Sequence, residues 1–345
     1  MARFNYGGQA LLEGVLMRGR DAIGVAIRHP EGGIVSTRQP LDSVLHRNRF
    51  ARAPFFRGLV VLYETLVIGT RWLMRSGAVQ AAGEGVELGR GAIALTLTLT
   101  AGFAVGLFVL LPLFLAQLTA RATVAGDPLI QHLYEGLIRV AIFVGYLLVV
   151  SRFGDIKRVF RYHGAEHMTI HALEHEQPLT IENIRRHPTA HPRCGTEFLV
   201  VFVIVSIIVF SLLAGQDLLI SIAGRVLLIP VIASVSYELL RFGAKYHRFR
   251  FIRWIYMPGI WLQMITTKQP DDSMIEVAVA SMQEALAANG ETAPEGSLDP
   301  ARRPLEIVLL GDARPGGDAA TAAPGLRAAG PAAPSAATSA DPSES

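Results

Sequence analysis

One stretch of the sequence reads Phe198-Leu-Val-Val-Phe-Val-Ile-Val-Ser-Ile-Ile-Val-Phe-Ser-Leu-Leu213 and contains no charged side chain. Three further stretches are similarly apolar, and the whole chain is 51% hydrophobic with a positive mean hydropathy. Apolar helices of roughly 20 residues can cross the hydrocarbon core of a bilayer. The sequence therefore predicts an α-helical integral membrane protein with about four transmembrane helices, at residues 92–118, 133–151, 197–214 and 217–240.

Basic residues are distributed unevenly among the connections between these spans. The connection 152–196 and the segment after residue 240 are rich in arginine and lysine, whereas the connections 119–132 and 215–216 contain only Arg121. Cytoplasmic flanks of transmembrane helices carry such an excess of positive charge. We therefore expect a multi-pass protein of the cytoplasmic (inner) membrane, with both termini and the connection 152–196 in the cytoplasm.

Two arginines lie inside the predicted spans, Arg139 in the second and Arg225 in the fourth. A charge in the bilayer core is costly, which indicates a partner or a polar cavity for such a residue. The alternative is a side chain that extends to the interface. For Arg225, near the outer end of its span, this alternative is favoured.

The cytoplasmic N-terminal region, residues 1–53, is rich in β-forming residues. Ala22–Arg28 and Gly33–Arg38 flank a turn-rich connection and predict a β-hairpin. The glycines between Gly7 and Gly19 indicate a tight turn or close backbone packing, which we favour over phosphate binding because no Lys-Ser/Thr ending follows. Residues 54–80 are helical in pattern but interrupted by charges, which predicts an interfacial or re-entrant helix.

The C-terminal part of the chain changes character twice. In residues 241–289, tryptophans occur beside basic residues, which predicts a membrane-surface segment. A helix that begins after the capping residue Asp271 follows, and we predict that it is soluble. Residues 290–345 are rich in Ala, Pro, Gly and Ser and predict a disordered tail, apart from a short strand at Leu305–Leu310.

Charge and cysteine content exclude some classes of function. The net charge of +3 is too small to indicate nucleic-acid binding. Cys194 is the single cysteine, so an intramolecular disulfide is excluded and a reducing compartment fits.

The densest chemistry lies in Phe160-Arg-Tyr-His-Gly-Ala-Glu-His-Met-Thr-Ile-His-Ala-Leu-Glu-His-Glu176. Histidines recur there at every fourth position and predict a ladder along one face of a helix. One metal ion can bind two neighbouring histidines of the ladder but not all four. The segment His163-Gly-Ala-Glu166-His167 fits the H-x-x-E-H pattern, in which two histidines bind zinc and the glutamate handles the proton of the activated water. The alternative is a solvent-exposed helix rich in His and Glu.

A second polar group, His187-Pro-Thr-Ala-His-Pro-Arg-Cys-Gly-Thr196, ends where the third predicted span begins. His191 and Cys194 have a spacing that zinc ligands on loops often use, and either can complete a site begun by the ladder. We favour this role for Cys194 over a nucleophilic thiolate. A purely structural loop that anchors the helix end is the other alternative.

Seven ordered motifs together resemble the YqhQ-type family of bacterial multi-pass membrane proteins, which are described as predicted metal-dependent enzymes. The resemblance covers about residues 5–286. It implies a metal near His163, His167, His171, Glu174, His191 and Cys194. The motifs are Gly7–Arg18, Arg158–His167, Ile170–Glu174, Leu179–Asn183, His191–Thr196, Ser236–Glu238 and Glu276–Ala280.

The chain departs from the family pattern at two positions of the ladder. Met168 stands where the family usually has a lysine, and His175 lies outside the pattern. We therefore expect His175 to be an exposed helix residue.

These features predict a membrane-embedded, cytoplasm-facing metal-dependent hydrolase, with zinc as the favoured divalent ion. His163 and His167 bind the ion, Glu166 acts as general base, and His191, Cys194 or Glu174 supplies the third ligand. Glu174 reaches the same ion only if the helix bends. The location near the headgroup layer predicts a lipid-linked or membrane-bound substrate.

Two other classes of function compete with the hydrolase. One is a non-catalytic membrane scaffold or regulatory protein in which the metal is structural. The other is a transporter, which is least favoured because four spans without a visible internal repeat make a poor translocation path.

Overall fold

The N-terminal region of the chain forms a β-sheet, in a computed structural model that describes residues 6–41, 50–83, 90–123, 128–192, 194–213, 216, 218–246 and 249–305. The first four strands are antiparallel neighbours in sequence order, and the fifth pairs in parallel with the fourth. The strands are Gly7–Leu11 (β1), Gly14–Arg18 (β2), Ala22–Arg28 (β3), Ile34–Pro40 (β4) and Arg302–Pro304 (β5).

The described residues are otherwise mostly helical. A π-helical turn at Gly106–Leu110 joins the second and third helices and ends two residues before Pro112, whose ring removes a backbone donor. The α-helices are Phe56–Gly83 (α1), Arg90–Val105 (α2), Leu111–Thr123 (α3), Pro128–Val150 (α4), Gly154–Glu174 (α5), Ile181–Arg185 (α6), Thr196–Ser211 (α7), Leu218–Tyr246 (α8), Arg250–Thr266 (α9) and Asp272–Ala288 (α10).

The predicted hairpin is confirmed by the pairing of β3 with β4. Its connection is closed by the His29 amide, which donates to the Gly33 carbonyl at 3.1 Å. Gly32 and Gly33 have φ angles of 92° and 79°, a region that favours glycine. A second hairpin, β1 with β2, occupies the glycine-rich stretch where the sequence predicted only tight turning or close packing.

Helix α10 covers one face of the sheet and forms much of the core with it. The predicted cap is confirmed, because the Asp271 side chain accepts from the Met274 amide at 3.1 Å. Met274, Ile275 and Val277 are fully buried. At the closest approach, a Cβ on Gly24 of β3 would lie 2.2 Å from the Ala285 nitrogen. Helix α10 therefore belongs to the hydrophobic core that it forms with the sheet.

The prediction of disorder from residue 290 does not hold for residues 291–305. The Leu298 amide donates to the Leu179 carbonyl at 3.1 Å, Leu298 packs against the core, and β5 extends the sheet. Composition averaged over the tail hides such single anchoring residues. The rest of the predicted tail, including Glu306–Leu310 of the predicted short strand, lies outside the described residues.

Within the described part of the chain, two helical segments are long and apolar enough to cross a membrane, Gly91–Ala116 and Leu219–Gly243. The segment from Tyr134 to Val150 qualifies only together with α5, from which it is bent by 98°. Helix α7 has 16 residues, about 24 Å by helical rise, which is short against a core of about 30 Å. The prediction of about four transmembrane helices is thus confirmed only as two or three candidate spans.

These helices expose large apolar side chains. Leu99, Phe103 and Phe114 on the Gly91–Ala116 segment are each more than half exposed, as is Leu227 on α8. Contiguous apolar surface of this kind is rare on soluble monomers and fits contact with lipid tails. The fold therefore indicates association with a membrane.

The arginines predicted inside the spans are buried together. Arg225 is 1% exposed and binds both carboxylate oxygens of Glu135, at 2.6 and 2.7 Å. Arg139 binds the same carboxylate at 2.5 Å, so the predicted partner exists. The prediction that the Arg225 side chain extends to the interface is wrong, because the side chain is buried. The bidentate Glu135 carboxylate offsets the cost of burying the guanidinium group.

Helix α1 connects the sheet to the apolar helices. Its Trp72 and Val79 are buried in a core cluster that includes residues of the sheet, and its Glu64 lies 3.3 Å from Arg18 of β2. Near its first turn, Arg57 pairs with Glu238 of α8. The Glu238 carboxylate therefore links α8 to α1. The interfacial or re-entrant position of α1 stays a prediction.

Candidate metal centre

The histidine ladder lies on α5, as its spacing predicts. His163, His167 and His171 face the connection 187–196, whereas His175 follows the helix as its C-cap and is exposed, as predicted. Met168 is fully buried in the core between α5, α10 and the sheet. A lysine, which is usual in the family at this position, would place a charged side chain in this hydrophobic core, so the core around it would have to differ.

The first donor set consists of His163, His167 and Cys194. The His163 Nε2 atom lies 3.3 Å from the Cys194 Sγ atom, and the ligand atoms of all three residues lie within 4.8 Å of one another. His167 and Cys194 are buried. The structure therefore brings two neighbouring histidines of the ladder together with the predicted thiol ligand.

Backbone carbonyls fix the orientation of both imidazoles. The His163 Nδ1 atom lies 2.9 Å from the Thr266 carbonyl, and the His167 Nδ1 atom lies 2.6 Å from the Thr189 carbonyl. Because a carbonyl only accepts, each Nδ1 carries the proton and each Nε2 carries a lone pair. Histidine ligands of metals are commonly held in this way.

Burial controls the pKa values of the first donor set. It lowers the pKa of His163, and together with the neighbouring imidazoles it lowers the pKa of His167 to about 2. It raises the pKa of the Cys194 thiol to about 12. At neutral pH the imidazoles can therefore act as ligands, while the thiol needs a nearby cation to ionise.

Glu166, the predicted general base, lies on the side of α5 that faces β1. It is buried, it accepts a hydrogen bond from the Gly8 amide, and its Oε2 atom has no partner among the described residues. Burial raises its pKa to about 8. A Cβ on Gly8 would lie 2.8 Å from the Glu166 Cδ atom, so the glycine-rich motif places backbone directly against this carboxyl group.

A second donor set consists of His171, Glu174 and His191. Their ligand atoms also lie within 4.8 Å of one another, and the His191 Nε2 atom lies 3.3 Å from Glu174 Oε2. The six predicted ligands are thus present as two sets of three rather than one. Burial lowers the pKa of both His171 and His191 to about 4, so both rings are neutral at neutral pH.

The connection 187–196 is held by residues that no sequence motif predicted. Gln263 of α9 is fully buried and binds both sides of the His191 backbone, accepting from its amide at 2.8 Å and donating to its carbonyl at 3.1 Å. Thr266 of the same helix supplies the carbonyl that orients His163. The sequence signal for this role was Gln263 itself, a single glutamine among the aromatic and aliphatic residues of α9.

A close approach locks α5 against the residues after α9. A Cβ on Gly164 would lie 2.1 Å from the Lys268 carbonyl oxygen, and the Lys268 amide donates to the Phe160 carbonyl at 2.9 Å. The glycine of the His163-Gly-Ala-Glu166-His167 motif therefore permits the contact that brings α9 and its Thr266 carbonyl to the site.

The first donor set suits a divalent ion. It combines two carbonyl-held imidazoles and a thiol, which are preferred ligands of zinc. The buried carboxyl group of Glu166, on the side of α5 that faces β1, is not a member of this set. The residues therefore fit the metal that the family resemblance implies.

Fold and site together define a mostly helical protein with an N-terminal sheet, two or three apolar helices that could span a membrane, and clustered histidines beside a buried cysteine. Residues 53–288 match the family described as "Protein of unknown function (DUF1385)". The chain is 33% identical over 294 residues to the "Uncharacterized protein YqhQ" of Bacillus subtilis (strain 168), covering 81% of this chain and 92% of that protein.

The chain therefore belongs to this family, and the resemblance found in the sequence is confirmed. No solved structure matches it. The metal and the reaction stay predictions.

Proposed function

We propose that this protein is a metal-dependent hydrolase that works at the cytoplasmic face of the inner membrane on a lipid-linked or membrane-bound substrate. The observation that carries the proposal is the set of His163, His167 and Cys194, of which His167 and Cys194 are buried, with both imidazoles oriented by backbone carbonyls. The buried Glu166 lies between the two histidines in the sequence. Such preorganised donors are typical of metal sites.

Each residue of the set has a specific role. His163 and His167 bind through their Nε2 atoms and Cys194 through its Sγ atom. A bound divalent ion, for which zinc fits best, supplies the positive charge that makes water nucleophilic near neutral pH. Glu166 holds and releases a proton at Oε2, and its pKa of about 8 lies in the range that suits proton transfer at neutral pH.

Helix α9 supports a membrane-facing position for the site. Its Gln263 and Thr266 contact the connection 187–196 and the ladder, whereas Trp254 and Trp261 on the same helix are 75% and 60% exposed. Tryptophan is enriched at the headgroup level of membranes. In the proposed topology, α4 and α7 are also transmembrane helices. The chain then has four spans, with both termini in the cytoplasm.

A second candidate is a non-catalytic scaffold or regulator with a structural metal. The burial of His167 and Cys194 favours it, because structural zinc sites are closed to solvent while catalytic sites keep an open position. The two candidates assign the same ligands but different roles to Glu166.

Metal analysis of the full-length protein in detergent tests the site. We expect bound zinc in the wild type and loss of an ion in His163→Ala, His167→Ala and Cys194→Ala. His175→Ala is the matched control, because it changes an exposed histidine next to the same helix. Metal content unchanged in all three ligand variants would contradict the proposal.

Glu166→Gln separates the two candidate functions. The hydrolase predicts a variant that keeps its metal and fails to replace the wild type in a strain whose chromosomal copy is deleted, since an amide cannot accept the proton. Full replacement by Glu166→Gln would instead support the structural ion.

A further inference from the structure

The second donor set shares no residue with the first. His171, Glu174 and His191 offer two imidazole nitrogens and a carboxylate oxygen within 4.8 Å of one another, whereas the first set uses His163, His167 and Cys194. Both sets join the ladder on α5 to the connection 187–196. From that connection, Cys194 contributes a donor to the first set and His191 contributes a donor to the second.

His171 is oriented in the same way as the histidines of the first set. Its Nε2 atom lies 3.0 Å from the Ala190 carbonyl. Because the carbonyl only accepts, Nε2 carries the proton and Nδ1 has the lone pair. In this tautomer the His171 nitrogen that can bind a metal is Nδ1, in contrast to the Nε2 atoms of His163 and His167.

His191 is held from its backbone instead. The side-chain amide of Gln263 binds both its amide and its carbonyl. Its ring centroid lies 4.5 Å from that of His171, with the ring planes tilted by 58°, and 5.7 Å from that of His167. The His191 ring thus lies near both the first set and His171.

A competing arrangement uses His171 with His175 and His187, whose ligand atoms also lie within 4.8 Å of one another. The rings of His171 and His187 are stacked at an angle of 9°, so their in-plane lone pairs point within parallel planes rather than converging. This arrangement contains no carboxylate and none of its three residues is buried, whereas His191 of the set with Glu174 is buried. The set with Glu174 therefore suits a cation better.

We propose that the chain holds a second divalent ion, bound by His171, Glu174 and His191 beside the ion of the proposed function, on which this inference rests. Two imidazoles and one carboxylate suit first-row divalent metals such as zinc, iron or manganese. The side chain of Glu174 is 29% exposed, so this set reaches the protein surface, whereas two of the three residues of the first set, His167 and Cys194, are buried. Adjacent metal sites can act together on one substrate.

Metal stoichiometry tests the inference on full-length protein in detergent, after loading with Zn²⁺ and removal of free metal. We expect about two ions per chain in the wild type, about one in Glu174→Ala and in Glu174→Gln, and about two in the control His175→Ala. The Gln variant keeps the size of the side chain and removes its charge, which guards against a loss caused by misfolding.

Loading with Co²⁺ distinguishes the two sets. A thiolate ligand gives cobalt a charge-transfer absorption, which we expect to persist in Glu174→Gln and to disappear in Cys194→Ala, with one ion remaining in each variant. One ion per wild-type chain would overturn the inference. If Cys194→Ala then removed that ion, the proposed function would stand; if only Glu174→Gln removed it, both would fail.

Discussion

At the scale of single residues, two glycines explain motifs whose roles the sequence left open. Gly8 brings the β1 backbone against the carboxyl group of Glu166, and Gly164 brings α5 against the Lys268 carbonyl. Neither contact leaves room for a Cβ atom. The glycine-rich N-terminal motif and the H-x-x-E-H motif therefore meet at Glu166, although they are far apart in the chain.

Gly8→Ala is expected to destabilise the protein, because its Cβ would lie 2.6 Å from the Leu16 carbonyl oxygen and 2.8 Å from Glu166 Cδ. Overpacking of this kind typically costs about 1–3 kcal/mol in the free energy of unfolding. Gly7→Ala is the matched control, since a Cβ there meets nothing within 4 Å. Thermal unfolding in one detergent compares the two, and equal midpoints would show that Gly8 is not under this constraint.

At the scale of elements, the site depends on α9 as much as on α5. Helix α5 provides the regular spacing of the ladder, whereas the short helix α6 ends before the connection 187–196, and the described residues around His191 form no helix or strand. The connection is positioned by hydrogen bonds to Gln263 and by carbonyl contacts to the ladder. A loop held in this way can present donors to a metal without large rearrangement.

Gln263→Leu is expected to weaken metal binding, because it removes both hydrogen bonds to the His191 backbone while keeping a side chain of similar size. Loss of outer-shell support commonly costs about 10–100-fold in metal affinity. Competition with a chelator of known affinity measures the effect. Met264→Leu is the control, since the neighbouring Met264 is 68% exposed; equal affinities of the two variants would mean that the Gln263 contact does not support the site.

At the scale of the whole molecule, buried charges link the apolar helices. Glu135 of α4 binds Arg139 of the same helix and Arg225 of α8, and Arg139 also donates to the Phe108 carbonyl in the π-helical turn. Both guanidinium groups lie over the ring of Phe210 in α7. Four parts of the apolar region therefore meet around Glu135 and its two arginine partners.

Glu135→Leu is expected to be more destabilising than Arg225→Leu. The first variant leaves two buried guanidinium groups without their shared carboxylate, whereas the second leaves Arg139 paired with Glu135. Removing one partner of a buried ion pair typically costs about 3–5 kcal/mol. The midpoints of thermal unfolding in the same detergent measure the difference, with Leu137→Ala, an exposed site on α4, as control. An equal or larger loss in Arg225→Leu would contradict this account.

The local features of the chain can be predicted from its amino-acid order alone. Apolar runs placed the candidate spans, the four-residue spacing placed the ladder on one helix, and Asp271 marked the start of α10, because each pattern reflects interactions between residues close in the chain. The motifs also sufficed to identify the family.

The way in which these parts are combined is visible in the three-dimensional structure and not in the local patterns. The structure separated Cys194 from Glu174 and His191, placed Gly8 against Glu166, and paired Arg225 with Glu135 across 90 positions of sequence. It also placed Gln263 in the site and Leu298 in the core. Contacts between distant residues depend on how helices and loops pack, and no local spacing encodes that packing.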